Sequence, residues 1–171
     1  MRDFPGTLQI NPESAFSHIQ SRYQAIEQIY GNQVELIRSG HPELSKTFYG
    51  LCKITHRILF NGILSNAGEF RLPSEPNHGY VGFGKNDVRQ PTGAQFNGTP
   101  AEQIDKQVEE TCSLLSWEDK DPVRTSAIFY QRFVRIHPFY DANGRVGRAV
   151  VTIYLRLLRI LSIMAKTGNN Q

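Results

Sequence analysis

The sequence contains little cysteine and no long uninterrupted hydrophobic run, and each absence excludes a class of protein. Cys52 and Cys112 are its two cysteines, and neither belongs to a CxxC pair or has histidine at the spacing of a zinc site. Buried free thiols are therefore the favoured interpretation, with a disulfide as the alternative. The longest apolar run, Ala149 to Ala165, is broken by Arg156 and Arg159, which favours a buried helix over a membrane span.

The sequence also lacks a secretion signal and a strong charge of one sign. Residues 1–11 contain no apolar signal core. Lysine and arginine number 19 against 16 acidic residues, a net charge of +3, whereas nucleic-acid binding needs a denser basic patch. With 39% hydrophobic residues among 171, the chain is long enough for one domain with its own core. We therefore expect a single cytoplasmic domain over residues 1–171, with no membrane and no nucleic-acid partner.

Apolar residues recur at helical spacing through most of the chain, which predicts an all-α bundle. The helix before residue 137 is expected to begin near Pro122 and end near Ile136, and the helix after it to run from about Asn143 to Met164. Thr99 followed by Pro100 has the pattern of a helix start, with Thr99 as the N-cap and Pro100 at the first helical position. The remaining predicted segments are an irregular lead over 1–12, helices over 13–30, 33–39, 43–65 and 100–117, and a flexible tail over 165–171.

Residues 67–99 differ from the rest of the chain in composition and pattern, because glycine and proline are frequent there and the helical spacing of apolar residues is lost. The stretch Tyr80-Val81-Gly82-Phe83 predicts a short strand. A loop this long inside a compact domain is usually functional or mobile, and a disordered insertion is the alternative. We expect Arg71 and Arg89 to lie on the surface.

Three polar residues within predicted helices have ordinary structural interpretations. His56, inside the predicted helix over 43–65, is expected to be structural. Arg132 and Arg135 lie on the polar side of the helix that precedes residue 137, where surface ion pairs are their expected role.

One stretch concentrates the polar chemistry of the sequence, and it lies between two helical runs: residues 137–148, His-Pro-Phe-Tyr-Asp-Ala-Asn-Gly-Arg-Val-Gly-Arg. Pro138 disfavours the α region for His137, so the first helix should stop there. The first N–H groups of the next helix lack helical partners and carry partial positive charge, which makes an anion site. Arg145 and Arg148 lie three apart on one face of that helix, and guanidinium groups bind phosphate oxygens in pairs.

The other side chains of the stretch suit phosphate chemistry as well. Asp141 is a hard oxygen ligand of the kind that Mg²⁺ prefers, and His137 titrates near neutral pH and can accept a proton from a hydroxyl. Ala142 and Gly144 let a ligand approach the backbone. A conventional helix–turn–helix corner would explain Asp141 and Gly144, but it gives no reason for His137, Asn143, Arg145 and Arg148 together.

This stretch resembles the signature of the Fic-domain family, His-Pro-Phe-x-Asp/Glu-Gly-Asn-Gly/Lys-Arg-x-x-Arg. It departs at Ala142, where the family usually has glycine, and it matches at His137, Pro138, Phe139, Asp141, Asn143, Gly144, Arg145 and Arg148. The resemblance implies the all-α Fic fold, a bundle of about six to eight helices with a small β-hairpin flap. That flap would be residues 67–99, and its Tyr80, Val81, Gly82 and Phe83 would dock the backbone of a target protein.

The resemblance also implies a role for each residue of the loop. His137 would deprotonate a hydroxyl of the target protein, Asp141 would hold Mg²⁺ against the phosphates, and Phe139 would anchor the loop in the core. Asn143, the backbone of Ala142 and Gly144, and the side chains of Arg145 and Arg148 would bind the phosphates of ATP. Phe139 is included among the predicted nucleotide-binding residues.

Most members of the family move AMP from ATP to serine, threonine or tyrosine of another protein. The related Doc branch has lysine at the position of Gly144 and transfers phosphate, so Gly144 favours AMP transfer. Transfer of phosphate, UMP or phosphocholine, and a nucleotide-binding module without turnover, are the alternatives.

Many Fic proteins restrain themselves with a helix that carries Ser/Thr-x-x-x-Glu-Gly/Asn. No glutamate of this chain is followed by glycine or asparagine; Ser65 and Glu69 have the spacing, but Phe70 follows. The inhibitory helix is therefore absent, degenerate, removed with flanking sequence, or supplied by a separate antitoxin protein. The sequence leaves open the target, the oligomeric state, and whether the protein is a toxin or a secreted effector.

Overall fold

The computed structural model describes residues 10–83 and 96–160, and within them the chain is helical. The α-helices are α1 (Pro12–Gly40), α2 (Leu44–Phe60), α3 (Ile104–Cys112), α4 (Pro122–Ile136) and α5 (Asn143–Leu157). Two short 3₁₀ helices span Pro76–Gly79 and Ala101–Gln103, and two short strands are β1 (Gly82–Phe83) and β2 (Phe96–Asn97). The predicted all-α fold is confirmed, and these described helices fall within the predicted number.

Local signals set the ends of α4. The side chain of Asp121 accepts a hydrogen bond from the Arg124 amide at 3.2 Å, and Pro122 occupies the first turn, where its missing N–H costs nothing. At the other end His137 is left-handed, and its amide still donates to the carbonyl of Phe133 at 3.1 Å. Both predicted ends of this helix are confirmed.

The core forms where α4 and α5 pack against each other, with α1, α2 and α3 around them. Phe129 and Phe133 of α4 and Val146 and Val150 of α5 are fully buried, and burying such a side chain stabilises a fold by about 1.5–3 kcal/mol. Gly147 brings the two helices close, because a methyl group there would lie 3.0 Å from the ring of Tyr130. The two helices that flank residues 137–142 therefore form a firm support.

The predicted break after Tyr30 is wrong, since α1 runs without interruption to Gly40. Tyr30 and Val34 lie one turn apart and are both buried. Their burial outweighs the cost of about 1 kcal/mol of Gly31 within a helix.

The predicted helix over 43–65 was too long, because α2 ends at Phe60 rather than at residue 65. Arg22 of α1 donates to the carbonyls of Leu59 at 3.2 Å and Asn61 at 2.7 Å. A cation bonded to carbonyls at a helix C-terminus stabilises that end.

The predicted helix over 100–117 is shorter and begins differently. It opens as a 3₁₀ turn at Ala101, and α3 ends at Cys112. Thr99 is not its cap, because the Thr99 hydroxyl donates to the side chain of Gln107 at 2.8 Å. Cys112 and Cys52 are both buried and free, so the free-thiol interpretation is confirmed.

The predicted extent of the last helix was also wrong, since α5 ends at Leu157. The guanidinium of Arg38 donates to the carbonyls of Arg156 at 2.8 Å and Leu157 at 3.1 Å, which closes this end. Met164 and the predicted tail lie outside the described residues, as does most of the predicted lead. Within residues 10–83 and 96–160, no helix combines the length and the apolar character that crossing a membrane requires.

The predicted flap is described in part. β1 and β2 pair antiparallel, with Gly82 opposite Asn97 and Phe83 opposite Phe96. Residues 84–95, which connect them and include Arg89, lie outside the described residues. The complete hairpin therefore stays a prediction.

Candidate active site at the α4–α5 loop

The loop between α4 and α5 turns sharply at two left-handed residues. His137 has φ 55° and ψ 57°, and Ala142 has φ 58° and ψ 14°. The prediction that Pro138 removes His137 from the right-handed helical region is confirmed, although His137 adopts the left-handed region rather than an extended one. These two turns bring the end of α4 and the start of α5 together.

Phe139 and Asn143 hold the loop from below. The side chain of Asn143 accepts from the Phe139 amide and donates to the Phe139 carbonyl, both at 2.9 Å. The Phe139 ring is 0% exposed and stacks on His56 with the ring centres 4.0 Å apart. The Phe139 side chain is therefore part of the core, and the side-chain amide of Asn143 fixes the backbone of the loop.

A cavity of about 280 Å³ opens above this floor. Its lining includes Val134 and the predicted site residues His137, Asp141, Ala142, Asn143, Gly144, Arg145 and Arg148. Phe139, Tyr80, Val81 and Gly82 are not part of its described lining. The structure therefore brings together the polar part of the predicted site.

The N-terminus of α5 faces this cavity. The first helical bond runs from the Val146 amide to the Ala142 carbonyl at 2.9 Å, so the amides of residues 143–145 have no acceptor within the helix. The Ala142 amide, also predicted to bind phosphate, donates to the Asp141 carboxylate at 2.5 Å. The amides of residues 143–145 carry the positive end of the helix dipole, which favours an anion in the cavity.

The two arginines at the start of α5, Arg145 and Arg148, are held differently. Arg148 is exposed, and its Nη1 donates to the Tyr130 hydroxyl at 3.2 Å. Nη1 of Arg145 is buried and has no hydrogen-bond partner among the described residues. A buried charged donor without an acceptor is costly, and a phosphate oxygen in the cavity would supply the acceptor.

His137 is partly buried at the edge of the cavity. Burial lowers the pKa of its imidazole, and the positive charge of Arg71 lowers it further; a hydrogen bond with the backbone of Val134 and the charge of Asp141 oppose this in part. The imidazole is therefore neutral at pH 7, which is the form that can accept a proton.

Arg71 is the residue that sequence reasoning misplaced, since it is 1% exposed rather than on the surface. Its guanidinium donates to the carbonyls of His137 at 2.8 Å, Thr99 at 2.8 Å and Ile136 at 3.3 Å, and also to the carbonyl of Gly79. Burial lowers its pKa to about 10, so it remains charged at neutral pH. Neither periodicity nor any motif marks this position in the sequence.

Arg71 and its neighbours join the flap region to the loop. The Arg71 amide donates to the Pro138 carbonyl at 3.0 Å, and the Thr99 amide donates to the Ile136 carbonyl at 3.0 Å. Tyr140 of the loop donates its hydroxyl to Glu75 at 2.7 Å. The two ends of the flap region are thus tied to the residues on either side of His137.

The side chains that line the cavity suit a Mg²⁺ ion that is bound mainly through phosphate oxygens. Asp141 is the carboxylate that lines the cavity, and residues 10–83 and 96–160 contain no group of three metal-ligating side chains. Mg²⁺ commonly uses one or two carboxylates together with substrate phosphates and water. Asp141 therefore fits the predicted ligand for a metal that arrives with a nucleotide.

His56 is placed as a structural residue under the loop. It is 1% exposed, and its Nδ1 accepts from the Gly68 amide at 2.8 Å, so the neutral ring carries its proton on Nε2. Nε2 has no partner among the described residues. Burial lowers the pKa of His56 from 6.5 to about 4.

This shift makes the stability of the protein depend on pH. The unfolded chain binds a proton at His56 below about pH 6.5, whereas the folded protein does so only near pH 4. The free energy of unfolding therefore falls as the pH decreases through this window, and we expect a loss of about 2 kcal/mol from this residue between pH 7 and pH 5. Urea denaturation at several pH values measures it.

The matched variants are His56→Asn, which keeps an acceptor for the Gly68 amide but does not titrate, and His18→Asn on the exposed face of α1. The first should reduce the pH dependence of unfolding between pH 7 and 5, and the second should leave it unchanged. Equal pH dependence in all three proteins would show that His56 titrates normally in the folded state.

Ala142 departs from the usual glycine of the signature at a left-handed position, which costs a residue with a Cβ about 1–2 kcal/mol. We expect Ala142→Gly to leave the free energy of unfolding unchanged or to raise it by up to about 1 kcal/mol, because relief of this strain offsets the lost methyl group. Ala127→Gly, on the exposed face of α4, should lower it by about 1 kcal/mol. Urea denaturation compares them, and equal losses would refute the strain at Ala142.

Comparison with known proteins agrees with this geometry. A model of the Fic/DOC family matches residues 47–155, a range that contains the loop, α3, α4 and most of α2 and α5. Proteins of this family are in general transferases, which carry out AMP transfer or a related group transfer. Since the match covers more than half of the 171 residues of the chain, the chain belongs to the Fic/DOC family.

Proposed function

We propose that the protein is an Mg²⁺-dependent protein adenylyltransferase that moves AMP from ATP to a serine, threonine or tyrosine hydroxyl of a target protein. One observation carries the proposal: a neutral imidazole, a carboxylate, a helix N-terminus and two arginines line the same cavity. The first is a base, and the others are the groups that bind a triphosphate with its metal.

The reaction follows from the positions of these groups. The imidazole of His137 accepts the proton of the target hydroxyl, and the oxygen forms a bond to the α-phosphorus of ATP. The bond from that phosphorus to the bridging oxygen breaks, and pyrophosphate leaves. Negative charge on the phosphate oxygens is stabilised by the first amides of α5 and by Arg145 and Arg148.

Asp141 would hold Mg²⁺, which would supply further positive charge to stabilise those oxygens. The protein's own contribution is the position of Asp141 at the turn before α5, where its carboxylate also accepts from the Ala142 amide.

Gly144 supports AMP transfer over phosphate transfer, because glycine is the residue that the resemblance associates with AMP transfer at this position. A methyl group at Gly144 would lie 3.3 Å from Nη1 of Arg148 and 3.5 Å from the Tyr130 hydroxyl, so a larger side chain would require the flexible end of Arg148 to move.

The flap region supports a protein as acceptor. The Gly98 amide donates to the Val81 carbonyl at 2.9 Å, and the Tyr80 hydroxyl donates to Asn97 at 2.8 Å, which holds β1 and β2 together. Each strand of a two-stranded sheet has an edge that can add a further strand. We propose that Tyr80, Val81, Gly82 and Phe83 dock the target at such an edge, in the cytoplasm.

Labelled ATP tests the function. The protein is incubated with cell lysate and Mg²⁺ plus ATP carrying either tritium in adenine or ³²P at the γ position, and labelled protein bands are recorded. AMP transfer places tritium but no γ-³²P on protein. Label from the γ position alone would show phosphate transfer, and ATP binding by calorimetry without any labelled protein would show a module without turnover.

A further inference from the structure

A second cavity, of about 430 Å³, lies between the end of β2, α3 and the last turns of α4. Its walls include Gly98, Glu110, Arg132, Arg135 and Ile136. None of these residues lines the cavity at the α4–α5 loop, so this is a separate space.

The charge of this second cavity is positive. Arg132 and Arg135 are exposed and lie three residues apart on α4. Their expected surface ion pairs are not found, because within residues 10–83 and 96–160 neither guanidinium has an ion pair or a side-chain hydrogen bond. Glu110, the carboxylate of the cavity, forms an exposed ion pair with Lys106, with the two charged atoms 3.8 Å apart. Two guanidinium charges are thus left for a ligand.

The second cavity lies directly beside the proposed base. A methyl group at Gly98 would be 3.1 Å from Nη2 of Arg71 and 3.3 Å from Cβ of His137. Arg135 precedes His137 by two residues at the end of the same helix. A chain that presents a hydroxyl to His137 at the base of the flap therefore places its neighbouring residues close to this cavity.

We propose that the second cavity binds an acidic side chain of the target protein, aspartate or glutamate, that lies close to the acceptor hydroxyl in the target's sequence. This proposal rests on the proposed protein substrate. Guanidinium groups bind carboxylates through paired hydrogen bonds, and exposed charges at an interface select the partner more than they raise affinity. Arg132 and Arg135 are specificity determinants in this assignment, and His137 acts on the adjacent hydroxyl.

Peptide binding tests the proposal without turnover. The full chain with His137→Asn is titrated with fluorescent peptides that carry a central serine, threonine or tyrosine flanked by acidic, neutral or basic residues. Acidic peptides should bind best, and Arg132→Glu with Arg135→Glu should weaken their binding about tenfold and favour basic peptides. Arg124→Glu, at the exposed start of the same helix, is the matched control and should leave the order unchanged.

Three results would overturn the assignment. The first is equal binding of acidic and basic peptides by His137→Asn, and the second is an unchanged peptide preference after charge reversal at Arg132 and Arg135. The third is weaker binding of a fluorescent ATP analogue by the double variant, which would make the second cavity part of the nucleotide site. Thermal unfolding checks the double variant, and Arg132→Gln with Arg135→Gln replaces it if charge reversal unfolds the protein. Failure of the proposed function is seen separately, as absence of tritium transfer by the unchanged protein.

Discussion

Replacement of His137 by asparagine is expected to lower the rate of AMP transfer by about 10²–10⁴-fold and to leave ATP affinity within about twofold. Asparagine is preferable to alanine because His137 has φ 55°, a conformation that asparagine adopts more readily than most residues. The backbone turn and the bonds to the His137 carbonyl should therefore persist, while the proton acceptor is lost. Initial rates with tritiated ATP and titration with a fluorescent ATP analogue measure the two quantities.

His18→Asn is the control for this experiment, because His18 lies on the exposed face of α1. Its transfer rate should equal that of the unchanged protein. Transfer at an unchanged rate by His137→Asn would remove His137 as the base, and a parallel loss of ATP binding would assign it a structural role. Because burial and Arg71 lower the pKa of His137, the acid limb of the rate profile should lie below pH 6.5.

Replacement of Arg71 by methionine is expected to lower the free energy of unfolding by about 3–5 kcal/mol. The carbonyls of His137, Gly79 and Thr99 each lose a charged donor, whereas the Ile136 carbonyl still accepts from the Thr99 amide. Methionine fills much of the same space, so the loss measures the hydrogen bonds more than the packing. Urea denaturation gives the value.

Arg57→Met is the matched control, since Arg57 is exposed and its ion pair with Glu69 spans 3.3 Å. An exposed pair of this kind contributes about 1 kcal/mol or less. Arg71→Lys should lie between the two, because one ammonium group cannot reach carbonyls on several sides of the guanidinium plane. A loss for Arg71→Met no larger than that for Arg57→Met would mean that the carbonyls find other donors.

The resemblance of residues 137–148 to a family signature predicted most of the lining of the candidate site. Cap and turn residues act within a few positions, so Pro122 and Pro138 indicated both ends of α4 correctly. The side chain of Asn143 was assigned to phosphate, and the structure also bonds it to the Phe139 backbone, so its role toward phosphate stays a prediction. A residue type that suits a ligand can equally satisfy the loop itself, and the sequence alone does not separate the two.

Helix ends that depend on distant residues were predicted poorly. α2 ends at Phe60, where Arg22 of α1 bonds the carbonyls, and α5 ends at Leu157, where Arg38 does the same. The long α1 passes Gly31 because its buried face packs on α5. No local pattern in the sequence records these contacts.

The sequence by itself determined α4, the loop and the start of α5, because caps, a proline and apolar periodicity act over one or two helical turns. Only the tertiary structure decided that Arg71 is buried against His137, 66 residues later in the chain, and that the second cavity lies beside the proposed base. Both depend on backbone carbonyls and helix faces that meet only after packing, and every residue type has the same carbonyl, so the sequence contains no signal for them.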